Sequence, residues 1–367
     1  MDILCEIRNH IAYITLNRPK ALNALSFEMI GELRPLLEGF ARNELVNAVL
    51  IRGAGEKAFC AGGDIRAIYD SYRNSSSLHV DFFAAEYPLD YLLRCYPKPY
   101  IALVNGIAMG GGMGVAQGSR LRIVGDRTRM AMPEVGIGFF PDVGASYFLS
   151  RLAGSLGLYL ALTGAQIRAA DALYVGLADY YLTADAIKRL DAALDALQWT
   201  WGSAEESFAE IEHTVRGLSG YPGAASLEPL RAAIDEHFAL PCIEGIMESL
   251  GRETRPLLSA WADETLQLMK ARSPTMLAVA FEQMQRGRGL NFAQCLRMEF
   301  GMARRCFEQG DFIEGVRALV IDKDNAPRWR PASIEDVSAA DVQAIFKDPW
   351  EGAVHPLAHL EGELRCN

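Results

Sequence analysis

The sequence predicts an α/β protein with parallel strand pairing, and three observations lead to this prediction. Short runs rich in β-branched residues recur along the first half of the chain, as expected of buried strands. Helical patterns lie between these runs, and strands that alternate with helices favour a parallel sheet. The chain has 367 residues, of which 50% are hydrophobic, so it can bury a sizeable core.

Four predicted strands come first, each ending at or followed by a turn residue. They are HIAYITL (10–16), NAVLIRG (47–53), PYIALVNG (99–106) and RLRIVGD (120–126). Helical patterns separate them. One spans 26–42 and begins at Ser26, a plausible N-cap, and another spans 82–96 and ends before Pro97. Further segments, 154–164 and 168–182, extend the pattern.

The pattern changes near residue 184, which predicts three regions. Residues 1–183 form the α/β region. Residues 184–325 are mainly amphipathic helices with few strand signals, such as DAIKRLDAALDALQ (185–198). Residues 326–367 form a polar, proline-rich tail with one more helix.

Charge and cysteine usage restrict the function and the location. The net charge of −10 argues against binding nucleic acid or an anionic membrane, because both depend on an excess of lysine and arginine. The seven cysteines fit neither a disulfide framework nor a CxxC zinc site, so we expect reduced thiols and a cytoplasmic protein. We also expect no targeting segment and no transmembrane span.

Motifs for histidine, phosphate-loop and metal chemistry are absent from the sequence: there is no GxSxG, GxxxxGK[ST] or HExxH. His355 and His359 have the spacing of one helical face, but a solvated surface is the favoured interpretation over metal binding. Cys60 is better explained as a small buried hydrophobe than as a nucleophile, since no histidine is near in sequence.

Two glycine-rich stretches, FCAGGD (59–64) and NGIAMGGGMG (105–114), follow predicted strands. Bare backbone of this kind lets a ligand approach closely, and two N–H groups aimed at one oxygen would form an oxyanion hole. The alternative is that both are tight turns with close helix packing. A dinucleotide-binding loop is disfavoured, because the glycine spacing does not fit.

Two carboxylates lie in the otherwise apolar stretch MAMPEVGIGFFPDVG (130–144). Isolated carboxylates are costly to bury and are normally exposed, paired or functional. Glu134 and Asp142 are therefore candidates for a pocket. The alternative places Glu134 at the start of a helix and Asp142 in solvent.

These motifs carry a family resemblance that spans residues 3 to about 330. RPKALNALS (18–26), KAFCAGGDIRA (57–67), NGIAMGGGMG and MPEVGIGFFPDVG resemble, in this order, signatures of the enoyl-CoA hydratase/isomerase (crotonase) superfamily. The AGGD and FPDVG sequences, with 273–284 and 311–329, are similar to its 3-hydroxyisobutyryl-CoA hydrolase branch. The resemblance implies a crotonase-type spiral of ββα repeats followed by a helical C-terminal region, with residues 1–183 as the acyl-CoA-binding and catalytic core.

The resemblance also implies a role for each candidate residue. The N–H groups of Gly63 and Gly111 would polarise a thioester carbonyl, and Glu134 would be the catalytic glutamate. It would either attack the thioester or activate water. Asp142 would be the extra acid of the hydrolase branch, binding a 3-hydroxyl group or handling protons. Glu86 would contact the substrate.

The remaining implied contacts concern the CoA moiety. The backbone around Ala61, Asp64 and Ile65 would hold its adenine. One departure is informative: hydratases of the superfamily carry a second glutamate where this chain has Gly114. Because hydration needs groups for two protons, its loss makes that chemistry unlikely for this sequence.

The predicted function is hydrolysis of 3-hydroxyisobutyryl-CoA to 3-hydroxyisobutyrate and CoA in valine breakdown. The alternatives are an enoyl-CoA isomerase or hydratase-type enzyme, and a non-catalytic acyl-CoA-binding protein of the same fold. No metal or redox cofactor is expected, since CoA is part of the substrate. The expected partner is the acyl-CoA, without nucleic acid or membrane, in a chain that could form a homo-oligomer.

Overall fold

Two sheets organise the chain in the computed structural model, which describes residues 1–199, 202–350 and 352–360. The strands are β1 (Ile3–Arg8), β2 (Ile11–Leu16), β3 (Ala48–Gly53), β4 (Ala58–Cys60), β5 (Tyr100–Val104), β6 (Ile107–Met109), β7 (Leu121–Gly125), β8 (Arg129–Ala131) and β9 (Tyr180–Leu182). The large sheet has the order β1-β2-β3-β5-β7-β9, in which β1 runs antiparallel to β2 and the other neighbours are parallel. The small sheet, β4-β6-β8, is parallel throughout.

Helices occupy the connections and most of the second half of the chain. They are α1 (Phe27–Arg42), α2 (Ile65–Arg73), α3 (Leu78–Arg94), α4 (Gly111–Gln117), α5 (Ala145–Phe148), α6 (Leu156–Thr163), α7 (Ala169–Val175), α8 (Ala184–Asp195), α9 (Ala204–Leu218), α10 (Arg231–Phe238), α11 (Ile243–Gly251), α12 (Ser259–Lys270), α13 (Pro274–Gly287), α14 (Phe292–Gln309), α15 (Phe312–Val316) and α16 (Ala339–Phe346). The predicted cap at Ser26 is confirmed, because its Oγ accepts a hydrogen bond from the Met29 N–H at 3.2 Å.

The chain winds as repeated strand–strand–helix units. β3 of the large sheet leads to β4 of the small sheet and then to α2, and β5 leads through β6 to α4. β7 leads through β8 to a 3₁₀ turn at Glu134–Ile137. The predicted spiral of ββα repeats is therefore confirmed. The glycine stretches differ from the prediction in one respect: β6 lies within the second stretch and β4 overlaps the start of the first. Strands of three residues are too short to show alternation in sequence.

Every described element after β9 is helical or a short helical turn. α13 and α14 pack on α5, and α14 also packs on α3, so the C-terminal helices share the main hydrophobic core with the spiral. The tail contains α16, the additional helix expected there. The division at residues 183 and 325 stays a prediction. Within the described ranges, no helix is long and apolar enough to cross a bilayer.

The cysteines depart from the expectation at one position. Free thiols are present at Cys5, Cys60, Cys242, Cys295 and Cys306, as expected. Cys95, however, forms a disulfide bond. Irregular spacing along the sequence therefore did not exclude a disulfide.

Candidate active site

The small sheet explains why three distant motifs meet. Because its strands are parallel, their carboxyl ends lie at one edge, and the segments that leave this edge are neighbours. β4 leads to Gly63, β6 leads to Gly111 at the start of α4, and β8 leads to Glu134. The topology thus places two glycine turns beside one carboxylate.

A cavity of about 120 Å³ lies at this edge. Its lining includes most of the sequence-predicted site residues, namely Ala61, Gly63, Ile65, Glu86, Gly111, Glu134 and Asp142. Asp64 does not line it. The Asp64 carboxylate instead caps α2 by accepting from the Ala67 N–H at 3.3 Å, and it pairs with Arg18 at 3.0 Å. The side chain of Asp64 therefore has a structural role.

The backbone N–H groups of Gly63 and Gly111 lie close together and can donate hydrogen bonds to a ligand. A Cβ added at Gly111 would lie 3.3 Å from the Gly63 nitrogen. Gly111 is the first residue of α4, where an N–H has no partner within the helix. Among the described residues, the Gly63 N–H has no backbone acceptor either. Such a pair can donate two hydrogen bonds to one carbonyl oxygen.

Three carboxylates face this cavity from different elements: Glu86 on α3, Glu134 on the 3₁₀ turn, and Asp142 beyond it. All three residues are buried, with at most 6% of their surface exposed. Glu86 Oε1 and Glu134 Oε2 have no hydrogen-bond partner in the described part of the chain. Asp142 Oδ2 accepts from the Tyr87 hydroxyl at 2.8 Å. The unpartnered oxygens are available to a ligand or to water.

Burial controls the ionisation of this cluster. It raises the pKa of Glu134 and of Glu86 well above the usual carboxyl range, and the negative charge of Asp142 adds to both shifts. Burial also raises the pKa of Asp142 to about 7, although the Tyr87 hydrogen bond opposes the shift. Close acids with raised pKa values keep part of the cluster protonated near neutral pH, which suits acid–base chemistry.

Helices α3 and α4 approach closely because the facing side of α4 carries glycines. A Cβ added at Gly111 would lie 2.5 Å from Glu86 Oε1, and one at Gly114 would lie 2.8 Å from Asp90 Oδ1. A Cβ at Gly118 would lie 2.7 Å from the Leu93 Cβ. The position where hydratases carry a second glutamate is therefore too crowded here for any side chain.

Asp90 is a site-region residue that sequence reasoning missed. It is 2% exposed, and its Oδ2 has no hydrogen-bond partner among the described residues. Burial, followed by the charge of Glu86, raises its pKa well above the usual range. The available signal was its position four residues after Glu86, which places both acids on one face of α3.

Aromatic rings close one side of the cavity. Phe83, Phe139 and Phe312 line it, and Phe307 lies behind them. The rings contact one another in a closed circuit with centroid distances of 5.1–5.9 Å. Phe307 and Phe312 belong to α14 and α15. The C-terminal helices thus contribute to the cavity wall, which the sequence did not indicate.

The other candidates from the sequence, a Cys60 nucleophile and a metal site at His355, are not supported as parts of this site. Burial raises the pKa of Cys60 to about 12, so its thiol is not activated as a nucleophile. His355 interacts through Nε2 with the Arg297 carbonyl at 3.2 Å. Within the described ranges, no group of three or more histidine, cysteine, aspartate or glutamate side chains is arranged to hold a metal ion.

Sequence comparison identifies relatives over nearly the whole chain. The profile of a family described as "Enoyl-CoA hydratase/isomerase" matches residues 11–346. The mitochondrial 3-hydroxyisobutyryl-CoA hydrolase of Rattus norvegicus is 38% identical over 347 residues, covering 94% of this chain and 89% of that protein. The protein of the same name from Danio rerio is 38% identical over 354 residues, with the same coverage.

Solved structures with other titles share the fold. A carnitinyl-CoA dehydratase from Mycobacterium thermoresistibile has a TM-score of 0.86 at 38% identity, covering 95% of this chain and 97% of that one. An enoyl-CoA hydratase from Rhodobacter sphaeroides has a TM-score of 0.84 at 33% identity, covering 97% and 99%. With the converging strands, the glycine turns and the buried carboxylates, these matches show that the chain belongs to the enoyl-CoA hydratase/isomerase family.

Proposed function

We propose that this protein hydrolyses short 3-hydroxyacyl-CoA thioesters, with 3-hydroxyisobutyryl-CoA as the substrate. The observation that carries the proposal is one cavity that joins the N–H groups of Gly63 and Gly111, which have no backbone acceptor within the described residues, to the buried acids Glu134 and Asp142. The names of the rat and zebrafish relatives support the same reaction. That reaction would place the enzyme in valine breakdown.

In the proposed mechanism, the thioester carbonyl oxygen accepts hydrogen bonds from the N–H groups of Gly63 and Gly111. These donors stabilise the negative charge that develops as the carbonyl carbon becomes tetrahedral. Glu134 either attacks this carbon to form an anhydride, which water then opens, or removes a proton from the attacking water. Both routes break the C–S bond and release the acid and CoA.

The other acids have complementary roles in this proposal. The Asp142 carboxyl either binds the 3-hydroxyl group of the substrate or supplies a proton to the leaving thiolate, and its pKa of about 7 suits either role. Glu86 contacts the acyl group through its unpartnered Oε1. The backbone around Ala61, Asp64 and Ile65 holds the adenine, while the Asp64 carboxylate caps α2.

A hydratase or dehydratase reaction is the second candidate, because the titles of two solved relatives name such reactions. The lack of space at Gly114 argues against a hydratase or dehydratase reaction. A Cβ there would lie 2.7 Å from the Val143 Cβ, so the second carboxylate of the hydratases has no room. A single-glutamate isomerase, or an acyl-CoA-binding protein without activity, needs no such residue, and only an assay separates these two from the hydrolase.

The test is a panel of short acyl-CoAs given to the purified protein. Release of free thiol from 3-hydroxyisobutyryl-CoA, faster than from isobutyryl-CoA, is the expected result. A shifted double bond or consumed enoyl-CoA without free thiol would replace the proposal with an isomerase or a hydratase. Tight binding without any turnover would replace it with a binding protein. The cytoplasmic location stays a prediction, and both named relatives are mitochondrial.

A further inference from the structure

The turn that carries Asp142 is strained. Val143 has a φ of +52°, a left-handed conformation that β-branched residues rarely adopt, and Gly144 follows with a φ of +88°. A non-glycine residue in this region costs about 1–3 kcal/mol and persists only when its surroundings hold it. Something outside the turn must therefore maintain it.

Glu299 of α14 makes the contacts that hold the turn. Its Oε2 accepts from the Gly144 N–H at 2.8 Å, and its Oε1 accepts from the Ser146 N–H at 2.9 Å. The residue is 0% exposed. Burial raises its pKa to about 8, while the hydrogen bonds from Ser146 and Gly144 favour its ionised form. Both carboxylate oxygens are thus engaged with backbone amides just after Val143, those of Gly144 and Ser146.

Gln283 of α13 holds the same turn from its other end. Its Nε2 donates to the Pro141 carbonyl at 2.5 Å and to the Ser146 Oγ at 2.8 Å. It is also 0% exposed. Contacts on Pro141, Gly144 and Ser146 bracket Asp142 in the chain. The backbone on both sides of the proposed acid is therefore held by the C-terminal helices.

We propose that Glu299, assisted by Gln283, is a positioning residue that places the Asp142 carboxyl group toward the acyl cavity and the Tyr87 hydroxyl. The inference rests on the proposed function, because its consequence is selectivity for acyl groups with a 3-hydroxyl. The helical C-terminal region then takes part in substrate selection without touching the reacting atoms.

The test is a double-mutant cycle with Glu299→Gln and Asp142→Asn. Glutamine retains the volume but replaces one of the two acceptor oxygens with an amino group. This group would face a backbone N–H and cannot accept its hydrogen bond. Because a misplacement of about 1 Å can cost about a hundredfold in rate, Glu299→Gln should lower the ratio of kcat/KM for 3-hydroxyisobutyryl-CoA over isobutyryl-CoA by at least about tenfold. In the Asp142→Asn background, Glu299→Gln should change this kcat/KM ratio by less than about twofold, since the effects of two residues that act as one unit do not add.

Glu253→Gln is the matched control. Glu253 is an acid in the same helical region whose side chain is 4% exposed, and it accepts hydrogen bonds from Arg255 and interacts with His237. Its substitution should lower the melting temperature and leave the selectivity ratio unchanged. If Glu299→Gln behaves like this control, or if its effect adds to that of Asp142→Asn, the positioning role is wrong.

Two further measurements cover the other outcomes. If Glu299→Gln does not fold, Gln283→Met, which removes the hydrogen bond to Pro141 at similar volume, takes its place in the cycle with the same criterion. If the wild-type protein releases no thiol, the proposed function fails, and the cycle is repeated on the dissociation constants of the two acyl-CoAs. A binding ratio that Glu299→Gln leaves unchanged would then overturn the inference on its own.

Discussion

Replacing Glu134 with glutamine tests the central chemical step, because the substitution retains the shape of the side chain and removes its charge. The site is tight: a Cβ added at Gly110 would lie 2.9 Å from Glu134 Oε1. An isosteric amide therefore occupies the same space. The N–H groups of Gly63 and Gly111 stay in place, so that stabilisation of the carbonyl oxygen is retained.

The expected magnitude follows from what the carboxylate supplies. A positioned acid or base contributes about 10²–10⁴-fold to the rate, so kcat/KM of Glu134→Gln should fall by at least about a hundredfold. The dissociation constant for CoA should stay nearly the same, because the proposed adenine contacts involve the backbone around Ala61, Asp64 and Ile65 and not the Glu134 side chain. A chromogenic thiol assay measures the first quantity, and titration calorimetry measures the second.

The pH profile provides an internal check. Burial raises the pKa of Glu134 well above its usual range, so the ionised form that acts as nucleophile or base is depleted as pH falls through a range above that of an ordinary carboxyl group. Wild-type kcat/KM should therefore rise with pH in this range, and the glutamine variant should lack the rise. A folded variant that retains either near-normal turnover or the same pH profile would refute the role of Glu134.

Three further predictions concern neighbouring residues. Asp142→Asn should lower selectivity for 3-hydroxyisobutyryl-CoA over isobutyryl-CoA by roughly ten- to a hundredfold, as expected for one charge-assisted hydrogen bond, and an unchanged kcat/KM ratio would exclude that contact. Because the folded pKa of Asp142, about 7, exceeds its ordinary 3.8, this residue favours the folded state most at low pH, and that contribution is lost as pH rises through 7. Wild-type melting temperature should therefore fall more than that of Asp142→Asn between about pH 4 and 7.5, and parallel profiles would contradict this. Gly114→Ala, with a Cβ 2.7 Å from the Val143 Cβ, should lower the free energy of unfolding by about 1–3 kcal/mol, whereas Gly31→Ala, with nothing within 4 Å, should not; equal denaturant midpoints would show that the space at Gly114 is not limiting.

The sequence predicted the elements that local patterns specify. Ser26 acts as the expected cap, and the glycine turns at Gly63 and Gly111 reach the same cavity as Glu134, although their catalytic roles stay predictions. What it missed depends on long-range packing. Glu299 and the Asp142 turn are more than 150 residues apart in the chain, and neither segment indicates the other.

Side-chain roles were also less predictable than positions. Asp64 was expected to contact CoA through its backbone, which stays a prediction, and nothing in the sequence indicated that its carboxylate caps α2 and pairs with Arg18. Asp90 resembles an ordinary helix-surface residue in sequence, yet it is 2% exposed and faces Gly114 of α4. Burial of a charged group is a property of the assembled fold: the spacing of Glu86 and Asp90 indicates a shared helix face, but not that this face is buried.

The glycine side of α4 limits how this scaffold could acquire a different reaction. A Cβ at Gly111, at Gly114 or at Gly118 just after α4 would lie 2.5–2.8 Å from an atom of α3. A glutamate at 114 would therefore require both the Asp90 carboxylate on α3 and Val143 in the turn beside Asp142 to shift. Introducing the second carboxylate of the hydratases is thus a coordinated change of a helix contact and a turn, and no single substitution on this backbone would be expected to accomplish it.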